Sequence, residues 1–160
     1  MNDYGIDGVF FQQFANNLKT NSPIKKANDK LVLDNIIAAA KANNDRLVSI
    51  MFDLSGANAT GTMVDDVKNY WQEIVDEYGL NNNTNNHLLT YKQKPIVAIW
   101  GVGFDRTDNY NLEDVQELID FFKNDSVYGG CSVLLGVPRS WRTPGVGDAV
   151  NDAQLLEVIK

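Results

Sequence analysis

Four short apolar runs recur along the chain: Ile6 to Phe11, Leu47 to Phe52, Pro95 to Trp100 and Cys131 to Gly136. Each is bounded by turn-forming residues and is short for a helix, so each reads as a strand. Their predominantly apolar character predicts burial on both faces. Between them the pattern changes to a helical period. Lys30 to Lys41 places Leu33, Ile36, Ile37 and Ala40 on one face and stops at Asn43-Asn44. Thr62-Met63-Val64-Asp65 has the residue order of a capping box, and it opens a stripe of Val64, Val67, Trp71, Ile74, Val75 and Tyr78 that Gly79 closes. Asn111 caps a third helix with Leu112, Val115, Leu118, Ile119 and Phe122 in register, and Leu155, Leu156, Val158 and Ile159 mark a fourth between Asn151 and Lys160.

Strand and helix therefore alternate, which predicts an α/β fold with a parallel sheet covered by helices. No residue pattern recurs from one unit to the next, so the chain is not a repeat array. Asn81 to Asn86 reads as a polar surface loop feeding His87-Leu88-Leu89-Thr90-Tyr91. The opening residues Met1 to Tyr4, followed by Gly5, read as the tail of a helix rather than a leader.

Composition narrows the function. The 160 residues suit a single domain spanning 1–160 that buries roughly two thirds of its unfolded surface. A formal charge of −7 with no basic run argues against nucleic acid, and no apolar stretch reaches the ~18 residues of a membrane span. One histidine, His87, and one cysteine, Cys131, leave no nucleophilic triad and no zinc spacing, so neither metal nor cofactor is expected. His87 reads as structural or solvated, in or near a helix away from every strand exit, and Cys131 as a small buried thiol. Gly101-Val102-Gly103 lacks the third glycine and the following helix of a dinucleotide fingerprint.

In parallel α/β folds the loops at the carboxyl ends of the strands build the site. Here those exits are Phe11-Gln12-Gln13-Phe14, Asp53-Leu54-Ser55-Gly56, Trp100 to Arg106 and Val137 to Arg142. They gather amides, a carboxylate, large aromatic rings and guanidiniums, the groups that recognise a polar ring such as a sugar. The candidate ligand contacts are Gln12, Asp53, Trp100, Phe104, Asp105, Arg106, Arg139 and Trp141, with Trp100 and Trp141 expected to face the ligand. Asp53 has a plainer reading as the cap of the Leu54-Ser55-Gly56 turn, and Asp105 with Arg106 as a surface ion pair. Side chains alternate along a strand, so only one of Gln12 and Gln13 can face the rim centre.

Tyr4 to Gln12, Phe52-Asp53-Leu54-Ser55-Gly56, Lys94 to Phe104, and Gly136-Val137-Pro138 with Trp141-Arg142 resemble, in order, bacterial proteins of the glycoside hydrolase family 99 and family 71-like group. Gln13 stands where that group would carry an arginine. The resemblance implies a (β/α)8 barrel acting on α-linked glycans, as in endo-α-mannosidases and α-1,3-glucanases, in a protein of a commonly exported type. It covers about four βα units of the eight, lacking the first strand and the last three. The paired-glutamate motif that drives catalysis in family 99 has no counterpart after Trp141, where only Asp148, Asp152 and Glu157 are acidic, so no catalytic residue is carried over. The expectation is a glycan-binding, inactive partial barrel that self-associates through exposed sheet edges. Two alternatives stand beside it: an open-sheet domain that binds a glycan or small ligand without cleaving it, and a truncated product without function.

Overall fold

A computed structural model describes residues 2–19, 23–43, 46–57, 61–82, 86–105 and 110–160. Five strands, β1 (Gly8–Phe14), β2 (Leu47–Asp53), β3 (Thr90–Tyr91), β4 (Lys94–Trp100) and β5 (Ser132–Gly136), alternate with helices α1 (Pro23–Ala42), α2 (Met63–Tyr78), α3 (Leu112–Asn124) and the short α4 (Gln154–Val158). β1, β2, β4 and β5 lie side by side in chain order and all run parallel. The fold is α/β with a parallel sheet, as the alternating pattern predicts.

The sheet presents its two faces very differently. Val9, Phe11, Val48, Ile50, Phe52, Val97, Ile99, Val133 and Leu135 point toward the helices and join one apolar core with Leu33 and Ile37 of α1, Val67, Trp71 and Ile74 of α2, and Val115, Leu118 and Phe122 of α3. At its centre Phe52 stacks on Phe122 with ring centroids 5.6 Å apart, and Trp71 meets Phe122 edge-on at 5.4 Å. These are the offset and perpendicular arrangements that aromatic quadrupoles favour. The indole N–H of Trp71 donates to Tyr128 O at 2.8 Å, so burying this ring strands no polar group.

The opposite face carries three rows of side chains in register. Phe10, Ser49, Ile96 and Ser132 form the lowest; Gln12, Met51, Ala98 and Leu134 the middle; Phe14, Asp53, Trp100 and Gly136 the row at the carboxyl edge. Ser49, Asp53 and Ala98, on the two central strands, are buried, whereas Phe10, Phe14, Trp100 and Leu134 are 43 to 50% exposed. The expectation of burial on both faces holds largely for β2 and β4 and is corrected for the outer strands β1 and β5: an apolar strand residue reads alike in sequence whichever way it points, and only one set meets helices.

Local signals explain most boundaries. Asn111 and Asp114 form a reciprocal capping box at α3, with Asp114 N donating to Asn111 Oδ1 at 2.7 Å and Asn111 N to Asp114 Oδ2 at 3.0 Å. Thr62 behaves differently from its motif, giving no side-chain cap to the α2 amides and donating instead to Asp66 Oδ2 at 3.0 Å. Gly79 ends α2 at φ 68°, a left-handed turn natural to glycine. α1 starts earlier than its apolar stripe, at Pro23, whose fixed φ and missing N–H suit a helix's first position. α1 is clasped to α2 by Lys30, which donates to Glu77 Oε1 at 2.8 Å and Tyr78 Oη at 2.9 Å, while Tyr78 donates to Asp34. Burial and the neighbouring Asp34 carboxylate push the Tyr78 hydroxyl up to about 12.

β1 begins and ends later than the apolar run that announces it, and β3 is an addition. His87 to Tyr91 wedges between β2 and β4 at their amino ends: Val48 N donates to His87 O, Leu89 N to Val48 O, and Ile96 N to Leu89 O, at 2.8 to 2.9 Å. The turn from β3 into β4 places Lys92 and Gln93 at φ 50° and 63°, a mirror-image hairpin turn usually built from asparagine and glycine.

Candidate functional site

The carboxyl edge of the sheet brings four of the expected residues into one connected group. Asp53 and Trp100 are register partners on β2 and β4. Gln12 reaches across from β1 and donates from Nε2 to Asp53 Oδ2 at 2.5 Å. Asp53 Oδ1 accepts from Ser55 N at 2.7 Å, so the carboxylate caps its own turn and is also held by an amide from the neighbouring strand. It is only 4% exposed and pairs with no cation among the described residues, its charge being met by these two donors. The turn-cap reading of Asp53 therefore holds at Oδ1, while Oδ2 is taken by Gln12.

Trp100 is the open element of this group. A Cβ placed on Gly136 would come within 2.1 Å of its Cε3, so the indole lies across the bare glycine at the end of β5. Any other residue at 136 would lift the ring. The indole is 44% exposed, and Phe104 stands beside it with ring centroids 6.3 Å apart. Trp100 N–H aside, the local surface is aromatic with the Gln12 amide at its edge and the Asp53 carboxylate buried beneath it.

The loop after β4 is fixed from both sides. Gly101 N and Val102 N donate to Gly136 O at 3.1 and 3.0 Å. Further out, Asp105 N donates to Asp148 O at 3.0 Å and Val150 N to Gly103 O at 2.9 Å, pairing this loop with the one after β5 as a short ribbon. Gly103 is required where it stands, at φ 76°, because a Cβ there would meet Leu155 Cδ1 at 2.2 Å. Asp105 is exposed on the ribbon, and Arg106 lies outside the described residues. Arg139 is exposed on the turn after β5. Trp141 is partly buried against the core and carries the Arg142 guanidinium over its ring at 4.2 Å, so one of its faces is occupied.

Three features of the rim lie outside the expected set. Phe14 shares Asp53's row, Gly136 seats Trp100, and Tyr110 places its hydroxyl 3.3 Å from where a Cβ on Gly101 would stand. The alternation of β1 already offered a signal for Phe14, since it points with Gln12. A groove of about 230 Å³ runs outside the ribbon, lined by Phe104, Tyr110, Asn111, Val150 and Asp152 among others. A larger cavity, about 330 Å³, sits at the opposite end of the sheet between α1 and the starts of β1 and β2. Its walls are mainly aliphatic, with Asp3, Asn43 and Arg46 also among them, and lie far along the strands from the polar groups of the rim.

Gln13 points the other way from Gln12, into the covered face. It is fully buried and donates from Nε2 to Asp29 Oδ2 at 2.9 Å, an oxygen that Asn17 Nδ2 also reaches at 2.9 Å. Gln13 is thus part of the joint between β1 and α1. The remaining reactive side chains are quiet. Burial pushes the Cys131 thiol up to about 12, which keeps it protonated. His87 is at a turn rather than in a helix; its Nε2 is buried without a partner, and burial followed by the charge of Lys41 holds its pKa below the usual histidine value. Among the described residues no group of three His, Cys, Asp or Glu side chains is placed to hold a metal ion, and no helix is long and apolar enough to cross a membrane.

No family model, curated protein or solved structure matches the chain. Function rests on the geometry of the rim.

Proposed function

We propose that this chain is four βα units of a (β/α)8-type barrel whose carboxyl rim binds α-linked glycans without cleaving them. Consecutive parallel strand order is the order in which such a barrel is wound. The observation that carries the ligand class is Trp100: a half-exposed indole on a glycine seat, flanked by Phe104 and by the Gln12 to Asp53 pair. Sugar rings present an apolar C–H face and an equatorial girdle of hydroxyls. An aromatic platform with the exposed Gln12 amide at its edge answers both. The resemblance to the glycoside hydrolase family 99 and 71-like group points to mannosides and glucans as the first ligands to try.

Hydrolysis by the chain alone does not fit the rim. Glycoside cleavage takes two carboxyl groups at a defined separation, one acting as acid. Asp53 spends both oxygens on Gln12 and Ser55, while Asp105 and Asp148 are solvent-exposed on the ribbon. Titration calorimetry with α-mannosyl and α-1,3-glucosyl oligosaccharides tests the reading. Binding should be measurable for the intact chain and weakened at least roughly tenfold in Trp100→Ala, the scale of one lost aromatic contact. Equal binding by Trp100→Ala, or none by either protein, would remove the rim as a glycan site.

A further inference from the structure

We propose that the open face of the sheet is covered by a second copy of this chain, the two copies closing an eight-stranded barrel. The inference rests on the barrel part of the reading above and not on the glycan. A parallel sheet is ordinarily covered on both faces, because its crossovers and apolar strands leave no wet side. Here one face has α1, α2 and α3, and the other displays Phe10, Phe14, Met51, Ile96, Trp100 and Leu134. Four strands at ~4.8 Å spacing and about 20 Å length make a face of roughly 400 Å², on which the exposed apolar side chains Phe10, Phe14, Trp100 and Leu134 lie toward its outer strands and carboxyl edge. Asp53 is the only ionisable side chain in the three rows, and it is buried under its two donors. No charge has to be stripped of water when the face is covered.

A second copy meets a requirement that a flat partner does not. The outer edges of β1 and β5 pair with no other strand among the described residues. A twofold axis parallel to the strands keeps all eight strands pointing the same way. It sets β5 of each copy beside β1 of the other, satisfying both edges in one isologous assembly. Phe10 and Phe14 on β1 and Leu134 on β5 stand half-exposed next to those two edges, where the partner's strand would cover them. The edges and the helices flanking them bring the contact toward the ~800 Å² per partner of a stable interface.

Sedimentation equilibrium of the full chain tests this, with Leu134→Asp and Phe10→Asp as face variants and Val127→Asp, exposed in the turn after α3 and away from both edges, as control. The chain should sediment as a dimer that tightens with added salt, because each copy carries a charge of −7. Both face variants should raise the dissociation constant by roughly a hundredfold or more, since each buries an unpaired carboxylate; the control should match the parent chain. Near-ultraviolet dichroism from Trp71 verifies that the variants are folded. A monomer throughout, including one whose open face takes up a hydrophobic dye and so awaits a different partner, would overturn the proposal, as would a dimer indifferent to both face variants. A dimer that binds no glycan would defeat only the glycan reading, and a monomer that binds glycan only this one.

Discussion

Phe52 and Phe10 sit on neighbouring strands of one sheet, and they have opposite fates. Phe52 is fully buried between Phe122, Trp71 and Tyr70; Phe10, pointing the other way, is 43% exposed. Both lie in predominantly apolar runs. The difference teaches that the covered face holds the fold together, whereas the open face and its rim are where the chain has surface to spend on something else. Fold and function separate here by the parity of residue number along each strand.

The largest expected effect sits on the covered face. Phe52→Ala should destabilise by about 3–5 kcal/mol in urea unfolding, the cost of removing a fully buried aromatic from a packed cluster. Phe10→Ala, in dilute solution, should cost under ~1 kcal/mol. Equal costs would erase the distinction between the faces.

An intermediate effect is expected where the open face meets the rim. Asp53→Ala leaves Gln12 Nε2 and Ser55 N without their acceptor and should lose about 1–3 kcal/mol. Asp53→Asn keeps an acceptor for Ser55 N and should stay nearer the parent in stability. If the asparagine variant keeps its fold and loses glycan binding, the carboxylate charge matters to the ligand; if it keeps both, Asp53 is a scaffold.

The smallest effect belongs to His87, on the wedge between β2 and β4. Burial, and then Lys41, lower its pKa in the folded chain. The unfolded chain therefore takes up the proton more readily than the folded one. The stability tied to His87 is complete above the unfolded value of ~6.5 and declines as pH falls through it. Unfolding free energies measured from pH 7.5 down to about 5.5 should fall for the parent chain and stay flatter for His87→Gln. Identical slopes would show that the wedge does not sense protonation.

Much of this was legible in the chain. Each main strand and helix lies where a run or stripe announces it, because buried apolar surface and caps such as Asn111 are local signals. The one-sided burial was not legible, since Leu134 and Leu135 look alike and only the placement of helices tells them apart. The β3 wedge was missed because its turn uses Lys92-Gln93 in place of the asparagine and glycine that advertise such a hairpin. At the rim, strand exits gave the neighbourhood correctly for Gln12, Asp53, Trp100 and Phe104. The shielding of Trp141 by Arg142 and the seat that Gly136 provides for Trp100 depend on three-dimensional proximity.

The indole N–H resonances of the three tryptophans offer the most direct test of the rim as a glycan site. Trp71 lies on the covered face with its N–H bonded to Tyr128 O, Trp100 on the rim, and Trp141 against the core under Arg142. Titrating an α-mannosyl or α-1,3-glucosyl oligosaccharide into nitrogen-15-labelled protein should move the Trp100 resonance in a saturable way and leave Trp71 in place. Saturable movement of Trp71 or Trp141 with Trp100 unmoved would contradict the account.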